Sequence, residues 1–267
     1  MNKIGIIAGN GQFPILFSKA AQKKGYEVFA TAHIGETRED LDKYVKGIEW
    51  IHVGQIGKII KFFQANKVTQ AVMVGAITKT RMFNMKPDLK ALKLISSLRH
   101  TRDDNLLRSI ADFLEKEGIK IEASTFLLPE LLATEGCWTK RKPKKAERLD
   151  IEFGWDLARK IGELDIGQCL VVQGRSVLAV EAIDGTDATI RRGGGLGSGQ
   201  AVVVKICKPD QDLRFDLPAI GIQTIESMHE SGASTLVVEA ENSIVFDREE
   251  TILKANKYGI SIIGKKS

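Results

Sequence analysis

KIGIIAGNGQFP, running from Lys3 to Pro14, decides the class of fold. Lys3–Ala8 is a compact apolar run of strand length, and a Gly-Asn-Gly turn follows it directly. Ile15, Leu16, Ala20 and Ala21 then recur at helical spacing up to Lys23, and Gly25 is a stop signal. Glu27–Ala32 reads as the next strand. Strand, glycine turn, helix and strand make a βαβ unit. The turn is close to a dinucleotide fingerprint but departs from it twice. Pro14 takes the place of the third glycine, and the second strand ends Thr31-Ala32-His33 with no acidic residue. The use of Gly9, Gly11 and Gln12 survives that mismatch, because glycines let the backbone approach an anion and a helix N-terminus offers N–H groups. The alternative is a tight strand-to-helix turn that holds no ligand.

Working outward, the same alternation continues. Trp50–Val53 reads as a strand, and a helix from about Gln55 to Asn66 places Ile56, Ile59, Ile60 and Phe63 on one face. Gln70–Gly75 is a buried strand, beyond which Lys79 and Arg81 stand where a phosphate would lie in an open α/β sheet. Solvated side chains are the plainer reading of that pair. Asp88–Leu98 reads as a helix, and a second helix over Leu106–Lys116 is preceded by Asp103 and Asp104, suited to capping it. Ile119–Ile121 is a further strand. This pattern predicts an α/β fold, with a Rossmann-like parallel sheet over residues 1–133. Thr139–Arg148 (TKRKPKKAER) is the sharpest shift in composition. It is expected to be a basic linker over 134–148, exposed and able to face anionic lipid.

Residues 149–267 then form a second α/β domain of mixed strand order. A helix runs from Ala146 to about Ile161, and two strands form a hairpin around Gly174. Glu181, Asp184, Thr186 and Asp187 crowd a glycine turn, which suits Mg²⁺ or phosphate and equally suits a turn with a helix cap. Arg191–Gly199 (RRGGGLGSG) is expected to be a mobile segment able to close on an anion. The strand Ala201–Cys207 runs into Lys208–Gly221 (KPDQDLRFDLPAIG), and the helix Ile222–Ser231 follows. That loop carries Lys208, Asp210, Gln211, Asp212, Arg214 and Asp216. Pro218 biases Leu217 towards an extended conformation and so sets the path of the chain just after Asp216. Asp216 reads either as a carboxylate aimed at a metal or a water, with Lys208 and Arg214 for phosphate, or as a cap or an ion pair with Arg214.

Composition narrows the classes of function. The chain has 267 residues and a net charge of +5, too mild and too dispersed an excess to indicate nucleic acid. Cys137, Cys169 and Cys207 are far apart and form no CxxC, which fits a reducing compartment. No apolar run approaches the ~20 residues that span a bilayer. A soluble, cytoplasmic protein is expected.

Five stretches in order, GIIAGNGQFP, AVMVGAITK, DDNLLR, EAIDGTD and KPDQDLRFDLPAIG, are together similar to LpxI, the UDP-2,3-diacylglucosamine pyrophosphatase family. The resemblance runs from Ile4 to Gly264. It implies a two-domain enzyme with its active site in the interdomain cleft. The implied reaction is Mg²⁺-dependent hydrolysis of UDP-2,3-diacylglucosamine to UMP and 2,3-diacylglucosamine 1-phosphate (lipid X), in lipid A synthesis, with water attacking the sugar-side phosphorus. It implies Asp216, in the RxDLP element, as the catalytic carboxylate. The chemistry agrees, because a divalent cation neutralises pyrophosphate charge and lowers the pKa of a bound water. Asp216 with Asp187 or Asp212 would hold Mg²⁺, and Gly9, Gly11, Gln12, Lys79, Thr186, Lys208, Gln211 and Arg214 are the candidate substrate contacts. A lipid-linked UDP-sugar substrate leaves room for peripheral contact with the inner-membrane surface and for a homodimer. The alternative is a nucleotide- or UDP-sugar-binding module that does not turn its ligand over.

Overall fold

The computed structural model describes residues 2–78, 85–97, 103–209 and 211–266. The chain divides into two compact units. The first takes in the residues up to Pro129 together with Asp212–Asp216, and the second takes in Glu130–Gln211 and the residues from Leu217 onward.

In the first unit the order is β1 (Asn2–Ala8), α1 (Phe13–Lys23), β2 (Tyr26–His33), a 3₁₀ turn at Glu39–Tyr44, β3 (Gly47–Ile51), α2 (Ile56–Ala65), β4 (Gln70–Val74), α3 (Leu89–Ser97), α4 (Asp103–Lys116) and β5 (Lys120–Glu122). The strands pair in the order β3-β2-β1-β4-β5, and every pairing is parallel. This is the doubly wound arrangement that the βαβ reading of residues 3–32 predicts. The apolar stripe of α2 (Ile56, Ile59, Ile60 and Phe63) is buried against Ile7, Phe29, Ala71 and Ile121. Gly5 permits that approach, since a Cβ there would stand 2.8 Å from the Phe63 ring. The helix expected from Leu106 begins three residues earlier, at Asp103.

The second unit adds β6 (Gly136–Cys137), α5 (Lys145–Glu163), β7 (Cys169–Gln173), β8 (Ser176–Val180), α6 (Thr186–Leu196), β9 (Ala201–Lys205), β10 (Ala219–Ile220), α7 (Ile222–Ser231), β11 (Ala233–Glu239), β12 (Ile244–Val245), α8 (Arg248–Tyr258) and β13 (Ser261–Lys265). Its six-stranded sheet has the order β6-β13-β11-β9-β7-β8. The β13-β11-β9 core is parallel, and β6, β7 and β8 run antiparallel to their neighbours. A second, two-stranded sheet pairs β10 with β12.

Two expectations are corrected here. The basic segment 134–148 is not a free linker. It supplies β6 to the main sheet, its Thr139 and Glu147 are buried, and from Lys145 it is already α5. Composition misleads because the lysines Lys140, Lys142, Lys144 and Lys145 point outward while Arg141 turns in to an ion pair with Glu147. The glycine-rich stretch after Arg192 is likewise no mobile loop, because Gly193, Gly194 and Gly195 lie within α6. A Cβ at Gly193 would stand 2.5 Å from Val171 Cβ, and one at Gly194 would stand 2.3 Å from Ser231 Oγ. Close packing of α6 against β7 and α7 therefore accounts for those two residues, and it outweighs the roughly 1 kcal/mol per glycine lost in helix propensity.

Candidate functional site at the carboxyl end of the first sheet

Because β1 to β5 are parallel, their carboxyl ends collect at one edge, where ligands of open α/β sheets bind. The segments that leave the ends of β1, β2, β4 and β5 are Gly9–Gln12, Ile34–Thr37, Gly75–Thr78 and Ala123–Thr125. Two of them are zipped together: Gly9 N–H donates to Val74 O at 2.8 Å, and Asn10 N–H to Ala76 O at 2.7 Å. A Cβ on Gly9 would lie 2.5 Å from Ala76 O. Gly75, at φ +90°, would bring a Cβ equally close to Asn10 O. So Gly9 serves a backbone-to-backbone approach between loops. Gly11, at φ +91°, has open space where a Cβ would stand, and its N–H donates to Asn10 Oδ1 at 2.6 Å. Gln12 is the N-cap residue of α1.

A buried polar cluster beside this turn went unseen in the sequence. Ala8 O accepts from Thr37 Oγ1 at 2.6 Å and from His33 Nδ1 at 2.8 Å, so His33 carries its proton on Nδ1. Glu36, also buried, accepts from Thr78 Oγ1 at 2.9 Å and ties the segment after β2 to the segment after β4. The acid absent from the strand end thus lies three residues beyond it, past Gly35; a search widened by one turn would have found it. Burial lowers the pKa of His33, opposed by its bond to Ala8 and by the charge of Glu36. A histidine that resists protonation when folded binds fewer protons than the unfolded chain, so stability falls with decreasing pH from the ordinary value of about 6.5 down to the depressed folded value. Thermal melts over that window should show a falling Tm that His33→Gln flattens. An unchanged slope in the variant would remove His33 as its source.

Asp212–Asp216 completes this edge. Ser124, which follows β5, donates its N–H to Arg214 O at 2.6 Å, and Phe215 packs against the core that contains Ile7, Phe63 and Leu114. The loop thus joins the end of β5, which is separated from β1 only by β4. Arg214 is held by Asp212 (Nε–Oδ1 3.0 Å, Nη2–Oδ2 2.8 Å) and by Glu115 on α4 (Nη1–Oε1 3.0 Å). Burial pushes the Asp212 carboxyl up, but the bonds from the Arg214 side chain and backbone outweigh it and hold it below the usual carboxylate range. Arg214, one of the partners expected for Asp216, forms its ion pair with Asp212. Asp216 follows with its N–H donated to Asp212 O at 3.1 Å. Beyond it Pro218 is buried, and its carbonyl accepts from Ile244 N–H at 2.8 Å. Ser124 Oγ is buried with no hydrogen-bond partner among the described residues, a donor that a bound ligand or water would satisfy. Ile34, Phe126 and Leu213, in segments of this same edge, keep 44%, 42% and 45% of their surface exposed, so apolar surface borders the polar groups.

The other candidates lie in the second unit. Lys208 pairs with Asp165 at 2.8 Å, and Gln211 is buried with Oε1 accepting from Lys208 N–H at 3.0 Å, which shapes its own turn. Thr186 starts α6 and donates to Glu181 Oε1 at 2.9 Å, Asp187 stands in the first turn, and Asp184 pairs with Arg192 at 3.0 Å. Asp187 is therefore in one unit and Asp212 and Asp216 in the other. Lys79, Arg81 and Asp210 lie outside the described residues, as do the side chains of Asp103 and Asp104. Among the described residues no three His, Cys, Asp or Glu side chains are grouped to hold a metal. None of their helices is long and apolar enough to cross a membrane.

Comparison with known proteins identifies the family. The LpxI N-terminal domain model matches residues 3–131 and the LpxI C-terminal domain model residues 134–263. The UDP-2,3-diacylglucosamine pyrophosphatase LpxI of Caulobacter vibrioides is 36% identical over 276 residues, covering 99% of this chain and 98% of that protein. Solved structures are only distantly alike. A precorrin-6A reductase, CobK, gives a TM-score of 0.32 at 9% identity, covering 100% of this chain and 88% of its own. N5-carboxyaminoimidazole ribonucleotide synthetase from Thermotoga maritima gives 0.27 at 14% identity, covering 68% of this chain and 41% of its own. Likenesses that weak carry no argument. With both family models matched in order along nearly its whole length, the chain belongs to the LpxI family.

Proposed function

We propose that this protein hydrolyses the pyrophosphate bond of UDP-2,3-diacylglucosamine, releasing UMP and 2,3-diacylglucosamine 1-phosphate, a step of lipid A synthesis in the cytoplasm of a Gram-negative cell. The observation that carries the proposal is the lodging of Asp212–Asp216 at the ligand-binding edge of the first sheet, in a chain 36% identical along its length to a pyrophosphatase of that name. Asp216 is the catalytic carboxylate. It is carried on a segment anchored to the first unit through Arg214 and Phe215, and it takes the proton of the attacking water. The N-terminal end of α1 and the Ser124 hydroxyl offer donors to non-bridging oxygens. The apolar border of Ile34, Phe126 and Leu213 suits the acylated half of the substrate.

Asp216 has the donor chemistry Mg²⁺ prefers, and one or two carboxylates suffice because the ion keeps several waters. Asp212 already accepts from Arg214, and Asp216 is the ligand we assign to this loop. Bound there, Mg²⁺ would neutralise pyrophosphate charge and acidify water. Purified protein with UDP-2,3-diacylglucosamine and Mg²⁺ should release UMP, and EDTA should abolish the release. Tight binding with no UMP above a protein-free control would favour the non-catalytic module, and full activity in EDTA would remove the metal.

A further inference from the structure

The helix α3 has an outward face that the reaction does not use. Asp88 caps it: Oδ1 accepts from Ala91 N–H at 2.9 Å, and Oδ2 accepts from Gly57 N–H at 2.6 Å, so one carboxylate fixes the starts of both α2 and α3. Ala91 is buried and Leu94 packs on the same core. Lys90 turns inward to Glu117 at 2.8 Å and lies over the Phe113 ring. At 100° per residue, those inward contacts leave Leu89, Leu92, Lys93 and Ser96 on the opposite side. Leu89 keeps 85% of its surface exposed and Leu92 49%, while Lys86, Lys93 and Ser96 are exposed beside them.

We propose that this face of α3, with Leu89 and Leu92 flanked by Lys86 and Lys93, is the surface by which the protein docks on an anionic lipid bilayer. Two exposed leucines one helical turn apart are an unusual cost on a soluble surface, and a helix lying in a lipid interface buries such a pair in the headgroup region. Charge selects the same partner. The one acid from Lys86 to Ser97 is Asp88, the cap, and with Lys90 paired to Glu117 the positive charges left on this segment are Lys86 and Lys93. A basic segment of that kind is attracted to an anionic leaflet. The inference rests on the proposed diacylated substrate for its purpose, since such a lipid resides in a bilayer and no helix of the described residues crosses one. Its geometry stands independently of that reading.

The test is sedimentation of the full-length protein with phosphatidylglycerol-containing vesicles and with pure phosphatidylcholine vesicles. The parent should bind the anionic vesicles preferentially and lose binding in high salt. Leu89→Ser with Leu92→Ser, and separately Lys86→Glu with Lys93→Glu, should each weaken binding by about tenfold or more. Both variants should keep their thermal melting and their hydrolysis of detergent-dispersed substrate. Vesicle binding that survives both pairs overturns the proposal. So does a change of oligomeric state in the leucine pair without loss of vesicle binding, which would make the face a contact between copies. A raised KM in detergent with vesicle binding intact also overturns it, assigning the face to the acyl chains of the substrate. If the parent hydrolyses nothing but the variants lose vesicle binding, docking stands and the proposed reaction fails.

Discussion

Asp216→Ala is expected to lose about 10²-fold or more in kcat while substrate affinity stays within a few-fold of the parent. The carboxylate acts on water in the transition state, so its removal lowers turnover more than ground-state binding. Removing a negative charge beside a pyrophosphate also relieves repulsion in the ground state, and the variant should retain unhydrolysed substrate. The loop itself should hold, because its anchors are elsewhere: Arg214 O on Ser124 N–H, Phe215 in the core, and Arg214 on Asp212 and Glu115. Asp212→Ala is the contrast. It releases the Arg214 fork and should lower the melting temperature together with activity, whereas Asp216→Ala should melt like the parent. Turnover within a few-fold of the parent in Asp216→Ala would place the catalytic group on another residue. A collapsed melt in that variant would show that its carboxylate holds the fold.

What the sequence disclosed follows from the range of the interactions. The β1–α1–β2 unit and the α2 stripe are local, period-driven features, and both appear where the spacing puts them. At Gly193 and Gly194 composition suggests flexibility where three-dimensional contact, with Val171 and Ser231, demands the smallest side chain. Residues 134–148 were misread for a related reason: exposed lysines dominate the composition, while single side chains such as Arg141 and Thr139 form the fold contacts. The Lys208–Gly221 loop was recognised as the centre of the chemistry, but its five-residue membership in the first unit was not, because that rests on partners about a hundred residues away, Glu115 and Ser124. Shorter separations, of 25 to 42 residues, hid His33, Glu36, Thr37 and Thr78, whose partners lie on different strand ends.

The buried pair of Arg141 and Glu147 should be the most sensitive electrostatic point of the second unit. Glu147 is 1% exposed, and Oε1 accepts from Arg141 Nη2 at 2.5 Å and from Ser234 Oγ at 2.5 Å, while Oε2 accepts from Lys144 N–H at 2.6 Å. Arg141 Nη1 continues to Ser261 Oγ at 2.7 Å, so the pair joins the start of α5 to β13. Breaking such a pair from one side leaves an uncompensated charge and costs about 3–5 kcal/mol. Arg141 keeps 22% of its side-chain surface exposed and lines a cavity of about 310 Å³, through which water softens that penalty. Glu147→Ala should therefore cost about 3 kcal/mol in denaturant unfolding at pH 7, the lower end of that range. The effect should depend on pH with a defined sign. Burial pushes the Glu147 carboxyl up, but Arg141, Ser234 and the Lys144 N–H together bring it below its ordinary value. A depressed folded pKa gives stability that is present above the unfolded glutamate value of about 4.3 and is lost as pH falls through the folded value. The gap between parent and Glu147→Ala should consequently narrow in acid. Glu147→Gln keeps the volume but not the charge and should fall between the two. A Glu147→Ala variant within about 0.5 kcal/mol of the parent, the range of an ordinary surface substitution, would show that desolvation of the two charges cancels their attraction.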